Sequence, residues 1–191
     1  MELIDKFIEK YNKHFPGWEP LITAKGNEAI NINAANKNLL DLKHAYDSVG
    51  LKFWLVFGTA LGAYRDNSLI VWDRDTDVAI FDIDKELIFP ATDILIEKKL
   101  LPLRVFLDNK KRFAGITYGR ENETLDVCFF QKRFGKYRCL THWADLHQFD
   151  ILDTIKFLGE DFKIPSDTEN YFVDRYGEDW KRPIMGKSAI S

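Results

Sequence analysis

The sequence predicts an α/β (α+β) fold, a mixed β-sheet with flanking helices, and three observations predict it. Ile32, Ala35, Leu39, Leu42, Tyr46 and Val49 recur at helical spacing and form one apolar stripe. Leu51 to Phe57 is instead a nearly continuous apolar and aromatic run of strand length. Three more strand-like runs, near 103 to 107, 112 to 118 and 124 to 130, follow one another with polar turns between them, as in a β-meander.

Taken in order, residues 1 to 14 read as a short amphipathic helix carried by Leu3, Ile4, Phe7, Ile8 and Tyr11, which Pro16-Gly17 ends. A polar connector runs to about residue 30. The helix from Asn31 closes at Gly50, a residue permissive enough to sit just past a helix end. The run from Leu51 then suits a central strand buried on both faces, stopping at Gly58-Thr59. Thr59 to Tyr64 suits a short helix, Asp66-Asn67-Ser68 a turn, and Trp72 to Phe81 a second strand with Asp73, Asp75 and Asp77 on one face. Asp84 to Leu100 contains a helix that Pro90 interrupts or delays. Asp108 to Lys111 and Gly119 to Asn122 separate the meander strands. Ser166 and Glu169 have the spacing of a capping box, opening a helix that runs to Tyr176 and ends at Gly177. One domain over 1 to 191 is expected, with its motif-bearing core about 31 to 185.

Composition excludes several classes of function. The chain has 191 residues, 46% hydrophobic and 30% charged, enough for one sizeable core. A net charge of −3 argues against a nucleic-acid partner, because such a footprint needs a basic surplus. The basic clusters Lys110-Lys111-Arg112 and Gln131-Lys132-Arg133 suit hairpin tips. Cys128 and Cys139 have no metal-ligand spacing and suit buried thiols, consistent with a reducing, cytoplasmic setting. The N-terminus lacks the pattern of a signal peptide, and no run reaches the ~18 apolar residues needed to span a bilayer. Membrane contact would therefore be peripheral. His14, His44, His142 and His147 share no ligand spacing.

The chemistry concentrates in carboxylates. Asp73, Asp75 and Asp77 lead into a strand that becomes wholly apolar, so like charges at i and i+2 converge at the edge of a core. That arrangement is costly unless a cation lies between them, and a divalent metal supplies one. Asp126 repeats the anomaly as the only charge in Thr124 to Phe130. If its strand neighbours the first, the acids form a hard-oxygen site of the kind Mg²⁺ favours. Against this stands an acidic loop edge at 73 to 77 with Asp126 paired to Arg74 or Arg112. Upstream, Gly58-Thr59 falls at a strand-to-helix turn, where glycine permits close backbone approach and free N–H groups meet an anion.

Gly58-Thr59-Ala60-Leu61-Gly62-Ala63-Tyr64-Arg65, then Ile70-Val71-Trp72-Asp73-Arg74-Asp75-Thr76-Asp77-Val78, and last Tyr176-Gly177-Glu178-Asp179-Trp180-Lys181-Arg182-Pro183 resemble the motifs of the LicD/fukutin family of the nucleotidyltransferase superfamily. The resemblance covers roughly residues 35 to 185. Val71 stands where the family usually has Pro, and Arg74 where it often has another Asp.

The resemblance implies a nucleotidyltransferase-like fold and transfer of a phospho-alcohol, phosphocholine or a polyol phosphate, from a CDP-activated donor to a hydroxyl of a glycan or lipid-linked glycan. It implies that Asp75 and Asp77 hold Mg²⁺ (or Mn²⁺), with Asp126 sharing the metal or acting as base and Asp73 an outer or second-metal ligand. Gly58 and Thr59 would cradle phosphate. Arg65 would neutralise the leaving nucleotide, or else pair with Asp66 or Asp73. Trp72 would contact the nucleobase, or else belong to the core. The rival readings are a nucleotidyltransferase that transfers the nucleoside monophosphate itself and an inactive nucleotide-binding module.

Overall fold

The computed structural model describes residues 2–14, 29–140 and 142–185. The expected helix end at Pro16-Gly17 and most of the polar connector lie outside them. The chain opens with α1 (Leu3–Tyr11), continued by one 3₁₀ turn at Asn12–His14. Phe7 and Tyr11 of α1 pack on Phe89. α2 (Ile32–Ser48) begins where Asn31 caps it, its side chain accepting from the Ala34 amide at 3.2 Å. Past its end Gly50 takes a left-handed φ of +72°, as the sequence suggested.

β1 (Phe53–Leu55), β2 (Asp75–Phe81), β3 (Leu101–Leu107), β4 (Phe113–Arg120) and β5 (Glu123–Arg133) form a mixed sheet in the order β1-β2-β5-β4-β3. β2 and β5 run parallel and the other pairs antiparallel, so β3 to β5 form the expected meander. The second connection is tighter than expected: only Glu121 and Asn122 turn, both with positive φ, as a two-residue hairpin requires. β6 (Lys136–Cys139) pairs with the end of β5, and β7 (His142–Asp145) pairs with β6. α3 (Phe57–Asp66) links β1 to β2, and α4 (Ile88–Glu97) follows β2 after a 3₁₀ segment at Asp82–Leu87. Pro90 falls in the first turn of α4, where its missing N–H costs nothing.

Two expectations about β1 and β2 are corrected. The run from Leu51 is not a central strand: only Phe53–Leu55 pairs, and it lies at the sheet edge against β2 alone. It is apolar because a second hairpin, β8 (Leu152–Phe157) with β9 (Glu160–Pro165), covers it, and Phe53 meets Phe162 edge-on at 6.1 Å. Trp54, fully buried, packs on Phe81, Phe130 and Phe149. Second, the strand carrying the acids starts at Asp75, leaving Asp73 in the preceding turn, its amide donating to Ile70 O at 3.0 Å.

After β7 come the one-turn α5 (His147–Asp150), the β8–β9 hairpin, and α6 (Thr168–Tyr176), which ends at Gly177 with φ +82°. The capping box does not form. Ser166 gives its hydroxyl to His147 O at 2.7 Å, and Asp167 occupies the cap position in a left-handed conformation. No helix of the described residues is long and apolar enough to cross a membrane.

Candidate metal centre

The parallel pairing of β2 and β5 builds the site, because its register sets Asp77 directly beside Asp126 and Asp75 beside Thr124. Asp75, Asp77 and Asp126 each offer a carboxylate oxygen, and these atoms lie within 4.8 Å of one another. An octahedral Mg²⁺ with bonds of about 2.1 Å spans about 4.2 Å between opposite oxygens, so small rotamer adjustments close this set on an ion. Three carboxylates with room for waters are the donors a hard divalent cation takes.

Charge repulsion marks the same place. Burial, with the neighbouring charge of Asp75, lifts the Asp73 carboxyl to about 6. Asp77 is pushed well above the carboxylate range by burial and then by Asp75, Asp126 and Asp73. Burial raises Asp126 to about 6, although hydrogen bonds favour its charged form. A cation among these groups would relieve all three.

Asp126 is held on both oxygens. Thr117 on β4 donates its hydroxyl to Oδ1 at 2.6 Å, and Arg104 on β3 donates to Oδ2 at 3.3 Å and to Thr117 Oγ1 at 2.7 Å. Asp126 therefore forms an ion pair with Arg104, while Arg112, one of the expected partners, pairs with Asp108 in the β3–β4 turn. Sequence motifs do not mark Arg104, although a lone charge within Leu101–Leu107 is the same anomaly that singles out Asp126.

At the start of α3, Phe57 has a left-handed φ of +49°, a costly conformation for a bulky residue. Tyr171 of α6 secures it by accepting the Phe57 amide at 3.2 Å. A Cβ on Gly58 would collide with the Asp73 carboxylate, so glycine lets that acid lie against the turn. Thr59 is buried and its hydroxyl accepts the Asp77 amide at 2.8 Å, fixing α3 to the strand that carries the acids.

Arg65 forks onto Asp66 at 2.9 and 2.7 Å and donates to Trp180 O at 3.2 Å, tying α3 to the C-terminal segment. Trp72 is half-buried in the turn before β2. Trp180 is buried against Phe172, and Tyr176 is buried beside it on the chain, so the closing motif packs on α3 and α6. Cys128 and Cys139 are free, buried thiols.

A mixed sheet with acids on adjacent strands and a glycine turn leading into a helix defines a nucleotidyltransferase fold. The solution structure of the antibiotic-resistance factor ANT(2'')-Ia shares it, with a TM-score of 0.52 at 15% identity over 81% of this chain and 77% of that one. The family described as LicD/FKTN/FKRP, nucleotidyltransferase domain, matches residues 50–167, and the chain belongs to that family. It is similar to ribitol-5-phosphate transferase FKTN of Homo sapiens, 26% identical over 191 residues, and to that of Mus musculus, 28% identical over 194 residues. Both matches cover 94% of this chain and 40% of the relative, so the chain spans well under half the length of the curated relatives it matches.

Proposed function

We propose that this chain transfers a phospho-alcohol group from a CDP-activated donor to a hydroxyl of a glycan, with Mg²⁺ or Mn²⁺ held by Asp75, Asp77 and Asp126. The observation that carries this is the three-carboxylate cluster beside the Gly58 turn in a chain of the LicD family. The ribitol-phosphate transfer named for its relatives supports the phospho-alcohol.

In this reaction the acceptor oxygen forms a bond to the phosphorus bearing the alcohol, and the bond from that phosphorus to the bridging oxygen breaks. CMP leaves with the bridging oxygen, and the acceptor proton is lost to a base or to solvent. The metal, when bound, offsets the charge of the donor diphosphate. The chain's own contribution is placement. Thr117 and Arg104 hold both oxygens of Asp126 and keep its remaining lone pairs available as a ligand. Thr59 fixes the Asp77 backbone, while Asp73 over Gly58 acts from the outer shell. Arg65 already has its counter-charge in Asp66 and reaches Trp180 O, so we assign it to holding the C-terminal segment instead.

Incubation with CDP-ribitol, CDP-glycerol or CDP-choline, Mg²⁺ and a glycan acceptor tests the proposal by its products. Free CMP with phospho-alcohol on the glycan is expected. CMP attached to the acceptor would replace this reading with nucleotidyl transfer. No thermal response to metal with any of the three donors would replace it with an inactive module.

A further inference from the structure

Helix α6 buries a charge that belongs to none of the sequence motifs. Arg175 is only 4% exposed, and among the described residues no carboxylate pairs with it. Its hydrogen bonds go to neutral acceptors, His142 Nδ1 at 3.1 Å and Trp143 O at 3.0 Å. Its guanidinium lies 5.4 Å from the centre of the Phe57 ring and 5.7 Å from that of Tyr171. A guanidinium withdrawn from water without a counter-anion is costly, and neutral acceptors and ring faces offset only part of that cost.

The position of Arg175 gives this imbalance a meaning. Phe57 immediately precedes Gly58, and Tyr171, which stacks on Arg175, also holds the Phe57 amide. The ring of His142 packs on Phe57 at 4.8 Å. Tyr176, the next residue on α6, feels the charges of Asp77 and Asp73 as well as that of Arg175, so the buried cation and the acid cluster act on the same side chain. Phe57, Gly58 and His142, which surround the guanidinium, are each partly exposed, so only a thin layer of side chains on the α3 turn separates Arg175 from solvent. His142 must be neutral to accept from Arg175; burial and the charge of Arg175 both hold its imidazole below the ordinary range.

We propose that Arg175 is the diphosphate-binding residue of the donor site, its fork aimed by neutral His142, so that the nucleoside diphosphate supplies the counter-charge the folded chain lacks. This role rests on the CDP-activated donor proposed for the site. In that arrangement Asp75, Asp77 and Asp126 would hold the cation that offsets the diphosphate charge, and Arg175 would add a second, fixed positive charge toward the same group. His142 is a positioning residue that acts through Arg175.

Calorimetric titration of the full chain with Mg²⁺ alone, and with CDP in the presence of Mg²⁺, tests this. Arg175→Gln is expected to weaken CDP binding by about thirtyfold or more while leaving the response to Mg²⁺ alone intact, the loss of a charge-assisted fork. Arg175→Lys should fall between, keeping charge but losing the fork, and His142→Ala should weaken CDP several-fold without unfolding the chain. A merely structural role would lower the melting temperature of these variants with no selective loss of CDP. Wild-type CDP affinity in both Arg175→Gln and Arg175→Lys, with Asp75→Asn inactive, overturns the role of Arg175 and leaves the proposed function standing. If wild-type protein binds Mg²⁺ but no CDP or CDP-alcohol, the proposed function falls and the role of Arg175 with it.

Discussion

Replacing Asp126 by Asn should stabilise the metal-free protein at neutral pH, the reverse of the usual outcome at a buried, hydrogen-bonded residue. Burial, reinforced by Asp75, lifts this carboxyl from 3.8 to about 6 against the pull of Thr117 and Arg104. An acid raised in the folded state binds more protons folded than unfolded between those two values. Stability contributed by the site therefore falls as pH rises from about 4 through about 6, and stays lowered above that window. At about 1.4 kcal/mol per pH unit, a gap of about 2 amounts to roughly 3 kcal/mol at pH 8.

Asn keeps the shape and one acceptor for the Thr117 hydroxyl, but loses the bond with Arg104, worth on the order of 1 kcal/mol. The net gain is about 2 kcal/mol, or a rise in melting temperature of about 4–8 °C for a chain of this size. Thermal unfolding followed by circular dichroism in EDTA, at pH 4 and pH 8, measures it. The variant should lie at or slightly below wild type at pH 4 and exceed it at pH 8, and saturating Mg²⁺ should narrow or reverse the order by stabilising wild type alone. A variant no more stable than wild type at pH 8, or a difference that does not grow with pH, would refute the claim that the burial of this acid beside its like-charged neighbours is uncompensated.

Asp75→Asn and Asp77→Asn should each remain folded yet lose both turnover and the Mg²⁺-induced rise in melting temperature; full activity in either would remove it from the ligand set. Thr59→Val strands the Asp77 amide at a buried site, a cost of about 1–3 kcal/mol readable by urea unfolding, and should weaken the Mg²⁺ response as β2 loosens from α3. Gly58→Ala forces the Asp73 carboxylate aside, so Mg²⁺ titration should show weaker binding in a folded protein, and an unchanged titration would dismiss the contact as incidental. His44, an exposed residue facing Glu160 at 3.5 Å, should be replaceable by Ala within about 0.5 kcal/mol and with normal turnover.

The meander, α2 and the turn at Gly177 were legible because each rests on a local pattern: period, run length or a glycine that must take positive φ. The central place expected for β1 failed for a physical reason. A strand buried by a covering hairpin has the same apolar composition as one buried by neighbouring strands, so composition reports burial and not pairing. Ser166 and Glu169 had the right spacing for a cap, but His147 O competed for the hydroxyl, and that competitor is brought in only by tertiary structure. The β8–β9 hairpin does carry a local signal, since Leu158 and Gly159 turn with positive φ between strands that alternate Ile155 and Phe157 with Phe162 and Ile164.

The acids are visible as charges entering apolar strands, and the same rule applies to the cations that answer them. Arg104 is the one charge in β3, and Arg175 falls four residues after Tyr171 and three after Phe172, on the buried stripe of α6. A buried charge of either sign demands a partner, and for an anion that partner is sought as a metal. The corresponding partner for a cation withdrawn from water is an anion, and for the half-buried Arg104 the protein provides it as Asp126. In Arg175 no described residue provides it. The two arginines therefore divide by what completes them, one finished within the fold and the other open to a ligand, and that difference singles out α6 as the place to look for donor contacts.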